Sequence, residues 1–118
     1  MTKIVYNACY GGFGLSNEAM QMYADLKGLT VYPEKDTWGT MFYTDPPGTK
    51  DRKALNEWNI FRADPVLVEV VEKLGKKANG NHAKLMIADV SKGDQYRIDE
   101  YDGFESVRTR EDYDWTVA

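Results

Sequence analysis

The apolar positions along the chain change period several times, and each change predicts an element. Lys3 to Tyr10 (Lys-Ile-Val-Tyr-Asn-Ala-Cys-Tyr) is rich in β-branched and aromatic residues and stops at Gly11-Gly12, which predicts a first strand closed by a glycine-rich loop. Ser16 then supplies an N-cap oxygen. Ala19, Met20, Tyr23 and Leu26 recur at helical spacing and Gly28 follows Lys27, so a helix is predicted over roughly 17–27. Leu29 to Tyr32 and Trp38 to Tyr43 are short aromatic and β-branched runs on either side of Pro33-Glu-Lys-Asp36, read as two strands around a turn. Thr44 to Lys53, with Pro46, Pro47 and Gly48, reads as an exposed loop.

The strongest helical pattern comes next. Asp64 can cap free amides, Pro65 fits the first helical position, and Leu67, Val70, Val71 and Leu74 form one stripe ended by Gly75. After the Asn79-Gly80-Asn81 turn, Lys84 to Val90 and Gln95 to Tyr101 read as strands with Ser91-Lys-Gly-Asp94 between them. Asp102-Gly103 is a type I′ hairpin signal, and Phe104 to Thr109 is the returning strand. The order β-α-β-β-α-β-β-β predicts an α+β fold: a mainly antiparallel sheet of five to six strands with two helices packed on one face.

With 118 residues and 42% hydrophobic side chains, the chain fits a single folded domain over 1–118, which excludes a two-domain enzyme. Its formal charge of −4 argues against general nucleic-acid binding or attraction to an anionic membrane. A lone cysteine, Cys9, excludes an internal disulfide and a multi-thiolate metal site and fits a reducing compartment. No run approaches the ~18 apolar residues of a membrane span, and the opening residues lack a signal-peptide core, so a cytoplasmic location is expected.

Three features could carry chemistry. Gly11, Gly12 and Phe13 lie between a strand and a helix N-terminus, where free amides can receive an anion; alternatively the glycines only turn the chain tightly under Phe13. Cys9 could act as a nucleophile only with His82, the single histidine, as its base; the alternative is a small buried hydrophobe beside a polar turn. No metal-ligand spacing is present. The third feature is the C-terminal hairpin, whose two-residue turn sets Tyr101 opposite Phe104, Glu100 opposite Glu105, Ile98 opposite Val107 and Arg97 opposite Arg108. Like charges directly opposed are destabilising, so either the register is shifted or each pair has an outside partner. Arg97, Tyr101, Phe104 and Arg108 would share one face suited to stacking a base and pairing a phosphate. The alternative is a pair of solvated arginines that splay apart or bridge to Asp99 or Glu111. Asp94 to Asp114 carries a net −5, which suits either a solvated surface or a basic partner. Trp58, Phe61 and Trp115 lie outside the regular helices and either close the core or face an interface.

Three blocks carry a resemblance: Tyr6-Asn7-Ala8-Cys9-Tyr10-Gly11-Gly12-Phe13-Gly14-Leu15-Ser16; Arg62-Ala63-Asp64-Pro65 with its Val/Leu helix; and Glu100-Tyr101-Asp102-Gly103-Phe104-Glu105. Together they resemble a family of small uncharacterised proteins encoded by tailed bacteriophages and prophages, while the stretch 36–59 stands outside the likeness. The resemblance implies a non-enzymatic accessory protein that counters host defence in the host cytoplasm, without a cofactor. Two modes follow. One is binding of a small anionic nucleotide-derived ligand, in the manner of Thoeris anti-defence sponges, through Gly11, Gly12 and Phe13 on one side and Arg97, Tyr101, Phe104 and Arg108 on the other. The other is inhibition of a host defence protein by direct contact. A small enzyme using Cys9 and His82 is the third reading. Exposed aromatics and edge strands also favour a homodimer.

Overall fold

The structure is a computed structural model describing residues 2–37, 39–91 and 93–109, with Asp36 described by its backbone alone. Six strands and two α-helices follow in the order β1 (Thr2–Asn7), α1 (Asn17–Lys27), β2 (Tyr32–Asp36), β3 (Gly39–Tyr43), α2 (Pro65–Leu74), β4 (Leu85–Val90), β5 (Tyr96–Tyr101) and β6 (Phe104–Thr109). The class is α+β, as expected. The single sheet is not formed: the strands pair as three separate antiparallel ladders, β1 with β4, β2 with β3 and β5 with β6.

The edge of β1 shows why. The N–H of Val5 donates to the Arg62 carbonyl at 2.9 Å, and the N–H of Asn7 donates to the Glu105 carboxylate at 2.9 Å. A loop carbonyl and a side chain thus take donors that a neighbouring strand would have used, so β6 docks on β1 without extending its ladder. On its other edge β1 stops at Asn7 and does not run on to Tyr10, because the Asn7 side-chain oxygen takes the Lys84 N–H that a continued ladder would have used. The Asn7 amide group donates to the Cys9 and Gly103 carbonyls, both at 2.8 Å, and its oxygen accepts from the Lys84 N–H.

Both helices begin where their caps predict. Ser16 accepts from the N–H of Ala19 ahead of α1, and Asp64 accepts from the N–H of Val66 ahead of α2. Leu67, Val68, Val70 and Val71 of α2 are buried, as are Ala19, Met20, Tyr23 and Ala24 of α1; Leu26, assigned to the stripe from its spacing, is exposed. The second ladder lies later in the chain than expected. Pro33 to Asp36 form the strand itself, with Pro33 opposite Phe42, and the lead-in Leu29–Val31 is irregular. Proline is tolerated where a strand's N–H has no ladder partner, and a two-stranded ladder offers such edge positions. The 44–53 loop is closed by Thr44 and Lys53 at 2.8 Å, with the Arg52 guanidinium stacked 3.6 Å over Tyr43 and paired with Glu34.

Asp64 also ties α1 to α2. The Tyr23 hydroxyl donates to its carboxylate at 2.7 Å and the Lys27 ammonium lies 2.9 Å away. Burial alone would raise the Asp64 pKa, but bonds from Lys27, Tyr23 and the Val66 amide hold it below the usual carboxylate value. Burial, then the bond to Asp64 and its charge, pushes Tyr23 up to about 12. Two pH effects follow, of opposite sign. The depressed carboxyl contributes stability that is present above its unfolded pKa and lost as pH falls through the folded one; the raised phenol contributes stability that is complete below about 10 and lost as pH climbs toward 12. Denaturant midpoints measured across pH should fall at both ends in the wild type, and Tyr23→Phe should flatten the alkaline limb.

Candidate functional site

Between the glycine loop, the segment before α2 and the inner face of the β5–β6 hairpin lie two adjoining cavities of about 390 and 420 Å³. They share Trp58, Arg62, Glu100 and Glu105 as walls. Gly11, Gly12, Phe13 and Gly103 complete one; Ile60, Phe61, Tyr96 and Ile98 complete the other.

The segment 56–62 buries Ile60 and leaves its flanking aromatics outside. Asn56 caps a single turn over Glu57–Asn59, Ile60 is buried, and Trp58 and Phe61 are each 67% exposed. The exposed indole is nevertheless fixed, because its N–H donates to the Phe13 carbonyl at 3.0 Å. Beside it, the Leu15 N–H donates to Glu57 at 2.6 Å; burial lifts the Glu57 pKa above the ordinary range while that bond draws it back. Glu57 also lines a third cavity, of about 340 Å³, together with Met20, Phe42 and Trp58.

Arg62 points inward. Its guanidinium makes two bonds to Glu105, at 2.6 and 2.9 Å, and stacks 3.5 Å from the Phe13 ring. With the Asn7 N–H on the same carboxylate, this largely buried pair, Glu105 the deeper partner, joins β1, the loop before α2 and β6. The bidentate geometry and the added amide donor compensate the desolvation of both charges.

One like-charge pair of the hairpin is relieved from outside it, the other from within. Tyr101 faces Phe104, Glu100 faces Glu105 and Arg97 faces Arg108, in the register that the Asp102-Gly103 turn dictates. Glu105 turns in to Arg62, leaving Glu100 at the groove. Asp99 lies between the arginines, 3.0 Å from Arg97 and 3.9 Å from Arg108.

The residues expected to bind an anion therefore do not converge. Gly11, Gly12 and Phe13 border the groove, but the Phe13 ring is buried with Arg62 on its face, so it offers no stacking surface. Arg97, Tyr101, Phe104 and Arg108 lie on the other face of the hairpin and line neither groove cavity, because strand alternation sends 97 and 101 away from 98 and 100. The two halves meet at the hairpin tip. Gly103 packs against Tyr10 and Gly12, and the Tyr10 ring reaches Phe104 at 5.1 Å between centroids.

The Cys9 thiol donates to the backbone carbonyl of His82 at 2.8 Å, so the contact between these residues does not involve the imidazole. Among the described residues no group of three or more His, Cys, Asp or Glu is placed to hold a metal ion, and no helix is long and apolar enough to cross a membrane. Arg110, Glu111, Asp112, Asp114 and Trp115, like Trp38, lie outside the described residues.

Sequence reasoning marked Trp58 and Phe61 only as aromatics in search of a role, and it missed Asn7 and the Arg62–Glu105 pair. The doubled carboxylate of the hairpin was the available signal, since an opposed Glu pair calls for a cation from elsewhere. Comparison of the chain with protein-family models, curated proteins and solved structures found no match.

Proposed function

We propose that this chain is a non-catalytic binding protein that docks on another protein through the Trp58–Phe61 side of the groove. The single observation carrying this reading is that two large aromatic side chains, each two-thirds exposed, stand along one cleft, with the indole fixed by a hydrogen bond. Rigid exposed aromatics lose little entropy on binding and supply the central anchors of protein interfaces. The charges favour a protein over a small anion as well. Arg62 is engaged by Glu105, and Asp99 sits beside both Arg97 and Arg108 and offsets part of their charge, which weakens both clusters as phosphate sites. Following the resemblance to phage accessory proteins, the partner is a host protein, met in the cytoplasm and inhibited by the contact.

Affinity capture from host lysate tests this. The wild type should retain one protein in stoichiometric amount. Phe61→Ala, which removes an exposed ring, should fold normally yet lose about 2 kcal/mol of affinity, roughly 30-fold. Equal retention by the variant contradicts the reading, as does a thermal shift of several degrees with a nucleotide or cyclic oligonucleotide.

A further inference from the structure

We infer that the groove receives a basic side chain of the partner, arginine in preference to lysine, between the Trp58 and Phe61 rings and the Glu100 carboxylate; this rests on the docking reading above. The molecule already builds such a seat twice for its own arginines. Arg62 lies 3.5 Å from the Phe13 ring and forks onto Glu105, and Arg52 lies 3.6 Å from the Tyr43 ring and pairs with Glu34. An aromatic face with an adjacent carboxylate suits guanidinium, which is planar, weakly hydrated and able to stack and hydrogen-bond together.

The groove repeats this combination without an arginine of its own. Trp58 and Phe61 present exposed rings to the cavity, and Glu100, from β5, lines the same cavity. Among the described residues the Glu100 carboxylate has neither an ion-pair nor a hydrogen-bond partner. Of the charges lining the groove, Arg62 and Glu105 neutralise one another, so the one left over is negative and complements a cation. The chain's net −4 acts in the same direction at longer range.

The test uses a hexa-arginine peptide as probe and the Trp58 indole N–H resonance as reporter, assigned by its disappearance in Trp58→Phe. The peptide should shift this resonance saturably and bind more tightly than hexalysine, and hexaglutamate should leave it unmoved. Glu100→Gln should weaken hexa-arginine at least fivefold, whereas Glu18→Gln, the same charge change on α1, should not. An equal loss in the two variants would show general attraction to an acidic protein and overturn the inference; so would the absence of any shift. Failure here, alongside capture that still depends on Phe61, would leave the docking reading intact with a partner of different chemistry.

Discussion

Glu105→Ala is expected to lose about 3–5 kcal/mol of stability, the largest effect of any single truncation proposed for this protein. Two groups are stranded at once. The Arg62 guanidinium keeps its stack on Phe13 but loses both hydrogen bonds to the carboxylate, and the Asn7 N–H loses its acceptor at a fully buried position. The cost falls on the contact between β6 and β1, which has side-chain bonds in place of a ladder. Equilibrium urea unfolding should show a much lower midpoint with an unchanged slope. Glu105→Gln, which keeps one oxygen for the Asn7 amide, should lose less. Pairing Glu105→Leu with Arg62→Met should recover part of the loss, because the uncompensated charge goes, but not all of it, since the amide remains unpaired. Full stability in Glu105→Ala would remove this pair from the account of the fold.

Gly103→Ala should rank second, at roughly 2–4 kcal/mol, from two independent sources. The residue has φ +87°, where a Cβ costs about 1–2 kcal/mol. That Cβ would also stand 2.6 Å from the Tyr10 carbonyl oxygen and 2.7 Å from the Gly12 nitrogen, where only backbone could move aside. Gly93→Ala isolates the first source. Its φ is +90° with nothing within 4 Å of an added Cβ, so it should pay the conformational cost alone. The difference between the two thermal unfolding curves measures the close approach of hairpin and glycine loop. In Gly103→Ala, amide exchange across β5 and β6 should quicken and the Tyr10–Phe104 contact should be lost. Equal stability of the two variants would mean that the tip does not rest on the loop.

Much of the local structure was legible because short-range chemistry specifies it. Ser16 and Asp64-Pro65 fixed the starts of both helices, and Asp102-Gly103 fixed the hairpin register residue by residue. Pro33 misled for a definite reason: it marks turns in general, yet the two-stranded ladder of β2 and β3 admits it. The division into three ladders could not be read, because it depends on Glu105 meeting Asn7 and Arg62, partners 98 and 43 positions away. The placement of the candidate site residues was hidden by the same route. The hairpin faces were separated correctly, but the face that lines a cavity with Gly11, Gly12 and Phe13 is that of Glu100 and Glu105, not that of Tyr101 and the arginines. Nothing local distinguishes these faces; the distant Arg62, paired with the buried Glu105, does.

The central claim is that the Trp58–Phe61 groove meets a protein. A photo-crosslinking amino acid placed at position 61, with the same residue placed at the exposed α2 position Lys73 as a control, tests it most directly in living cells of the proposed host. The account predicts one defined protein adduct from position 61, absent from position 73 and weakened by Glu100→Gln. No adduct at 61, or the same adducts from both positions, would contradict it.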